Sequence, residues 1–167
     1  KGKLLGLPVY KLIGGPSREH IDLYSTGDDL DWYMELGFKS FKITNPAHYE
    51  MGIKGLDLVE KRVMESRELI GTSSELMINA VMSYNTEFTI RLAERLRKYE
   101  IRWIEEPLMP HDVDGLISIK NAAPWMPIAT GEDHRGRHAF KQLIENKCVD
   151  IVQPDINWVG GLTETLK

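Results

Sequence analysis

Apolar positions recur along this chain in two alternating rhythms. Short runs with apolar residues at every second position, or nearly all apolar, give way to longer runs spaced by three or four, and the cycle repeats. Residues 21–27 (IDLYSTG) predict a strand, and 28–36 a helix stopped by Gly37. Residues 38–44 (FKSFKIT) alternate as a strand. Residues 55–70 carry Leu56, Val59, Val63 and Ile70 on one helical stripe, with Gly71 placed as a C-cap. Residues 75–81 (ELMINAV) predict a buried strand. Residues 85–100 predict an amphipathic helix, capped by Asn85 and carrying Phe88, Leu92 and Leu96 at helical spacing. Strands over 101–105, 127–132 and 149–154 then alternate with helices over 113–123 and 136–147, and Gly160 and Gly161 turn into a last helix from Leu162.

Six strands alternating with helices imply a parallel sheet with helices outside it. A doubly wound sheet and a barrel both satisfy that pattern. No glycine-rich phosphate loop follows the first strand, which speaks against a dinucleotide site. Six strands are also too few to close a (β/α)8 barrel, which takes about 250 residues. The expected fold is therefore α/β: a partial (β/α)8 barrel of about six βα units, parallel strands inside and helices outside. No linker or low-complexity segment divides residues 1–167, so one domain is expected. The chain opens on Lys1, and its last helical pattern is still running at Lys167, so both ends look cut.

Composition narrows the partners. The net charge of -4 argues against a sequence-independent grip on nucleic acid. No apolar run is long enough to span a bilayer and no signal-peptide pattern opens the chain, so neither a membrane nor a nucleic acid is an expected partner. The single cysteine, Cys148, excludes an intramolecular disulfide and fits a reducing compartment such as the cytoplasm. It is expected to be a buried structural thiol at the start of a strand. Trp103, Trp125, Met126 and Trp158 are expected to pack.

In parallel βα folds, chemistry gathers where the strands end. The polar residues at those ends are Lys42 and Thr44, Asn79, Glu105 and Glu106, Glu132 to His134, and Asp155. The intervals from Asn79 to Glu105 and from Glu105 to Glu132 each span one βα unit. Three oxygen-bearing side chains on consecutive strands would converge on one point, as a hard-cation site requires. A single strand-end acid is more often a helix cap or a solvated loop charge, so spacing alone leaves both readings open.

The segments WIEEP (103–107), TGE (130–132) and QPDINWVGG (153–161) resemble, in order, signatures of the mandelate racemase branch of the enolase superfamily. GFKSFK (37–42) resembles the segment that carries its active-site lysine, and LLGLPVYKLIGG (4–15) is similar to the run entering the barrel from a capping domain. Within the branch, the stretches FKQLIENK (140–147) and CVDIVQPDINWVGG (148–161) resemble acid-sugar dehydratases of the L-rhamnonate and L-galactonate type.

The resemblance implies proton abstraction beside a carboxylate, with Mg2+ as cofactor and a Lys or His base. By position, Glu105, Glu132 and Asn79 would bind Mg2+, and Glu106 would stand behind them or remain a solvated turn carboxylate. Asn79 departs from the pattern, since relatives place aspartate there; an amide oxygen coordinates magnesium but brings no charge. Lys42 would lie near the substrate carboxylate. Thr44 stands where racemases carry a second lysine, and a hydroxyl is a poor base. Asp155 resembles the aspartate of a His–Asp dyad whose histidine would come after Lys167; the alternative is a cap on the turn before Gly160.

Relatives of the dehydratase type show Gly-Glu-His where this chain has Gly131-Glu132-Asp133, with the histidine one place later at His134. Asp133 or His134 would then protonate the leaving hydroxyl, and as strand neighbours they would face opposite ways. His48 is a loop candidate for substrate contact.

The expected activity is Mg2+-assisted loss of water from a sugar acid, giving a 2-keto-3-deoxy acid. Rival readings are a racemase or epimerase of an α-hydroxy acid, and a non-catalytic barrel relative. Residues 1–167 are expected to be the central portion of the barrel domain, without a capping domain or last strands. Such a piece is expected to be inactive and poorly soluble alone, within a longer protein that forms homo-oligomers.

Overall fold

The computed structural model describes residues 1–167. Two short helices, α1 (Gly2–Leu5) and α2 (Val9–Leu12), precede six strands and seven helices. These are β1 (Ser25–Thr26), α3 (Leu30–Glu35), β2 (Ser40–Thr44), α4 (Gly52–Ile70), β3 (Glu75–Asn79), α5 (Thr86–Leu96) and β4 (Trp103–Glu105). They continue as α6 (Val113–Ala122), β5 (Ile128–Thr130), α7 (Gly136–Glu145), β6 (Ile151–Val152), α8 (Ile156–Val159) and α9 (Leu162–Thr165). No helix is long and apolar enough to cross a membrane.

All neighbouring strands pair in parallel, in the order β1-β2-β3-β4-β5-β6. That order never reverses, so the sheet has no switch point and is an open arc of a barrel rather than a doubly wound sheet. The pleat divides it into two faces. Phe41, Ile43, Leu76, Ile78, Ile104 and Ile128 point outward into a core of 28 buried residues shared with the helices. Met77, Trp103 and Ala129 form a small cluster on the inner face, with Ile151 packed against it.

The register explains which polar residues meet. Lys42 pairs with Met77, and Met77 with Trp103, on one inner row. One step further along, Thr44, Asn79, Glu105 and Ala129 form the next row. Side chains two residues apart share a face, so Lys42, Asn79 and Glu105 all belong to the inside of the arc.

The strands are shorter than the apolar pattern predicts. The expected strand over 21–27 is reduced to Ser25–Thr26, because β2 begins at Ser40 and offers nothing for earlier residues to pair with. Ile21 and Leu23 are exposed as a result. The strand expected over 149–154 keeps only Ile151–Val152, and Asp155 caps the short helix α8 before Gly160, the alternative reading of this residue. The strand over 127–132 stops at Thr130, because Gly131 (φ 130°) turns the chain. Asp133 and His134 therefore lie in a turn, and strand alternation does not set their directions. The helix over 85–100 ends at Leu96 and tightens into a 3-10 turn, Arg97–Tyr99, closed by Glu100 in the left-handed region. The caps at Asn85 and Gly71 are as expected: Asn85 Oδ1 accepts the Phe88 N–H at 2.8 Å, and the Gly71 N–H donates to the Arg67 carbonyl.

Candidate functional site

Glu105 is the centre of the inner face. It ends β4 and is fully buried. A buried carboxylate is costly unless nearly every lone pair finds a donor. Here the Lys42 ammonium donates to Oε1, while Trp103 Nε1 (3.1 Å) and Gln153 Nε2 (2.8 Å) donate to Oε2. Lys42 is itself buried, with its ammonium 5.2 Å from the centre of the Tyr24 ring.

Two further carboxylates crowd the same edge. Glu132 follows β5 and is half-buried. Burial raises its pKa above the ordinary carboxylate value, and the charges of Glu105 and Glu106 raise it further; Lys42 opposes them. Glu106 is fully buried, so of its two readings the solvated turn carboxylate is excluded. Its backbone sits at φ 43°, and its Oε1 accepts the N–H groups of Gly131 at 2.7 Å and Glu132 at 3.2 Å. Burial raises the Glu106 pKa too, partly offset by those two amides and by the nearby Thr130 hydroxyl, which lies beside the carboxylate without forming a hydrogen bond to Oε2. Negative charge thus outweighs positive charge at this edge.

Asn79 is half-buried and in register with Glu105. Its Oδ1 accepts the Val81 N–H at 3.0 Å, supporting a turn in which Val81 and Met82 both take positive φ. No three His, Cys, Asp or Glu side chains come together as a metal-holding group. The oxygen set at this edge is instead two carboxylates, Glu105 and Glu132, with an amide.

Gly131 is required by close approach as well as by φ. A Cβ there would lie 2.8 Å from Phe140 and 3.1 Å from the Gln153 backbone nitrogen.

The other predicted residues fall in different places. Asp155 is the N-cap of α8, its Oδ1 accepting from the N–H groups of Asn157 (2.7 Å) and Trp158 (3.2 Å). Asp133 is half-exposed on the turn after Glu132. His134 is only 5% exposed, lies 5.7 Å from the Phe140 ring and bonds the Pro110 carbonyl. Its Nδ1 is buried without a partner, and burial lowers its pKa. His48 is exposed and accepts the Glu50 N–H. Thr44 is turned away from Glu105's neighbours: its hydroxyl and N–H both donate to Asp28, which also pairs with Arg62 at 2.7 Å. Trp158 and Trp125 do not pack as expected. They are 47% and 40% exposed, each under an arginine, Arg135 and Arg97 respectively. Trp103, Met126 and Cys148 are buried as expected.

Gln153 is a site residue the sequence did not single out. Its signal was period two: it lies two residues beyond Ile151, on the same inner face, within the run that ends in Asp155.

The enolase C-terminal domain-like family model matches residues 28–167. The chain is 37% identical over 167 residues to L-rhamnonate dehydratase of Saccharopolyspora erythraea, covering 99% of this chain and 43% of that protein. It superposes on the crystal structure of L-rhamnonate dehydratase from Gibberella zeae with a TM-score of 0.93 at 36% identity, covering 99% of this chain and 42% of that one. A second crystal structure, rhamnonate dehydratase from Gibberella zeae complexed with Mg, gives a TM-score of 0.91 at 38% identity, covering 95% and 39%. The chain therefore spans less than half the length of these relatives.

Proposed function

This chain belongs to the enolase C-terminal domain-like family, and on that premise we propose that it forms the central part of a Mg2+-dependent hydro-lyase. The substrate is a sugar acid such as L-rhamnonate or L-galactonate, and the product is a 2-keto-3-deoxy acid. One observation carries the reading: Glu105 and Glu132 crowd together at the C-terminal edge of the strands, with Asn79 in the same row and Lys42 as the one buried cation. Burial first, and then the charges of Glu105 and Glu106, raise the Glu132 pKa, as expected of a carboxylate short of positive charge. Their oxygen donors are of the kind a hard cation takes.

Glu105, Glu132 and Asn79 would hold Mg2+. When bound, Mg2+ supplies Lewis-acid stabilisation of the charge that develops on the substrate carboxylate as the α-proton leaves. Lys42 orients that carboxylate from the inner face. Gln153 and Trp103 keep Glu105 in one rotamer by occupying Oε2. Asp155 commits Oδ1 to the α8 amides, which leaves Oδ2 to hold an imidazole in the tautomer that takes the α-proton. That histidine would come from outside residues 1–167. Asp133, half-exposed beside Glu132, protonates the leaving hydroxyl in this account; His134 is held among Pro110 and Phe140 by comparison.

The test is turnover across a panel of acid sugars, with and without Mg2+, followed by detection of the 2-keto-3-deoxy acid. Product from L-rhamnonate or L-galactonate that disappears with chelator is expected. No product from any sugar acid would sink the proposal, and α-proton exchange in D2O without elimination would point to a racemase. A second reading, a barrel relative that binds without catalysis, is favoured by one observation: Asn79 replaces a charged ligand and its oxygen is engaged by Val81. Mg2+ binding without turnover, still without turnover in Asn79→Asp, would establish it.

A further inference from the structure

Glu106 is the acid at this edge that the proposed reaction does not use. It ties three segments together. Its N–H donates to the Ala129 carbonyl at 2.9 Å, and its carbonyl accepts the Met82 N–H at 2.7 Å. Its side chain passes beneath the turn after β5, where Oε1 accepts the two successive amides of Gly131 and Glu132. Oε2 is buried with no partner. The turn has no slack at this point: the His134 N–H closes it onto the Gly131 carbonyl at 3.1 Å, and a Cβ on Gly131 would meet Phe140 and the Gln153 nitrogen.

A fully buried acid with one orphan oxygen is a poor choice if only stability is served, since an apolar side chain would fill the space without a desolvation cost. The contact it does make is to the backbone of Glu132 itself. We propose that Glu106 is a positioning residue: by accepting the N–H groups of Gly131 and Glu132 it fixes the Glu132 carboxylate against Glu105, and so sets the site's affinity for a divalent cation. The inference rests on the reading of Glu105 and Glu132 as metal ligands.

Two conservative substitutions separate reach from charge. Glu106→Gln keeps the length and a carbonyl oxygen for both amides but removes the charge. Glu106→Asp keeps the charge but is shorter by one methylene, about 1.5 Å, too short to serve amides now met at 2.7 and 3.2 Å. Mg2+ alone is titrated calorimetrically into the protein and both variants, with thermal unfolding followed alongside. Glu106→Gln should bind within about threefold of the unsubstituted protein, and Glu106→Asp at least about tenfold more weakly, with both melting cooperatively.

The reverse order would show that charge rather than position matters, and equal effects of either size would also overturn the proposal. Loss of the cooperative melt in Glu106→Asp would make the contact merely structural and count against it. No Mg2+ binding by the unsubstituted protein removes the metal reading itself, and this inference with it, whereas normal binding that neither variant changes removes this inference alone.

Discussion

Where β3 and β4 begin, one guanidinium serves four carbonyls: Arg67 donates to those of Gly71, Ser74, Tyr99 and Glu100 at 2.6–3.2 Å. Nearby, Arg102 pairs with Glu75, and Lys120 with Asp150, whose Oδ2 also accepts the Ile128 N–H. Where the same strands end, Glu105 and Glu132 share the single ammonium of Lys42, and Glu106 lies buried beneath the Gly131–Glu132 turn. The first edge gives Arg67, Arg102 and Lys120 partners and closes the loops that feed the strands. The second collects like charges that repel one another and leaves Glu106 Oε2 and His134 Nδ1 buried without partners. Unmatched buried charge costs stability, so its concentration at one edge marks that edge as the one shaped for a ligand.

If the first edge is purely structural, its loss should reach stability and leave cation affinity alone. Arg67→Met strips four carbonyls of a charged donor while keeping an unbranched stem in place. The chain should lose roughly 2–4 kcal/mol in chemical denaturation, since bonds to charged groups contribute about 1.5–3 kcal/mol each but do not add fully. Mg2+ affinity in the folded variant should be unchanged. A loss of affinity there would mean that the two edges are coupled rather than separate in role.

A smaller effect comes from the acid that borders the site without joining it. Burial alone would raise the Asp28 pKa, but the Thr44 hydroxyl and N–H, with Arg62, outweigh it and hold it below the ordinary value. A depressed carboxyl contributes stability above its unfolded pKa of about 3.9, and the contribution is lost as pH falls through the folded value. Asp28→Asn should therefore flatten the acid limb of the stability profile below about pH 4 and cost no more than about 1 kcal/mol at pH 7, because the pair is partly solvated. An acid limb as steep as before would show that Asp28 contributes nothing through its charge.

Alternation and spacing made the site's first row legible. Strand-end position and one-unit spacing set Lys42, Thr44 and the Asn79–Glu105 pair at one edge, and the register pairs Thr44 with Asn79 and Asn79 with Glu105 there. Apolar content alone could not set strand length, because a ladder extends only as far as its neighbour does; β1 and β6 each pair on one side and shrink to two residues. Glu106 was legible by resemblance as an acid behind the expected ligands, but its burial was not. An acid just past a strand reads as solvated, and only its left-handed backbone folds it beneath the next turn. Gln153 owes its place to the carboxylate it serves, a partner 48 residues earlier that no local pattern reveals. The substitution of Asn79 for a charged ligand was visible at once, but its bond to Val81 was not.

Calorimetric titration of Mg2+ into the unsubstituted protein and into Glu132→Gln decides whether Glu105 and Glu132 form a cation site. One Mg2+ site is expected in the unsubstituted protein, with an affinity at least about tenfold lower once the Glu132 charge is gone. Absence of a Mg2+ site, or the same affinity in both proteins, would contradict the reading of these carboxylates as metal ligands.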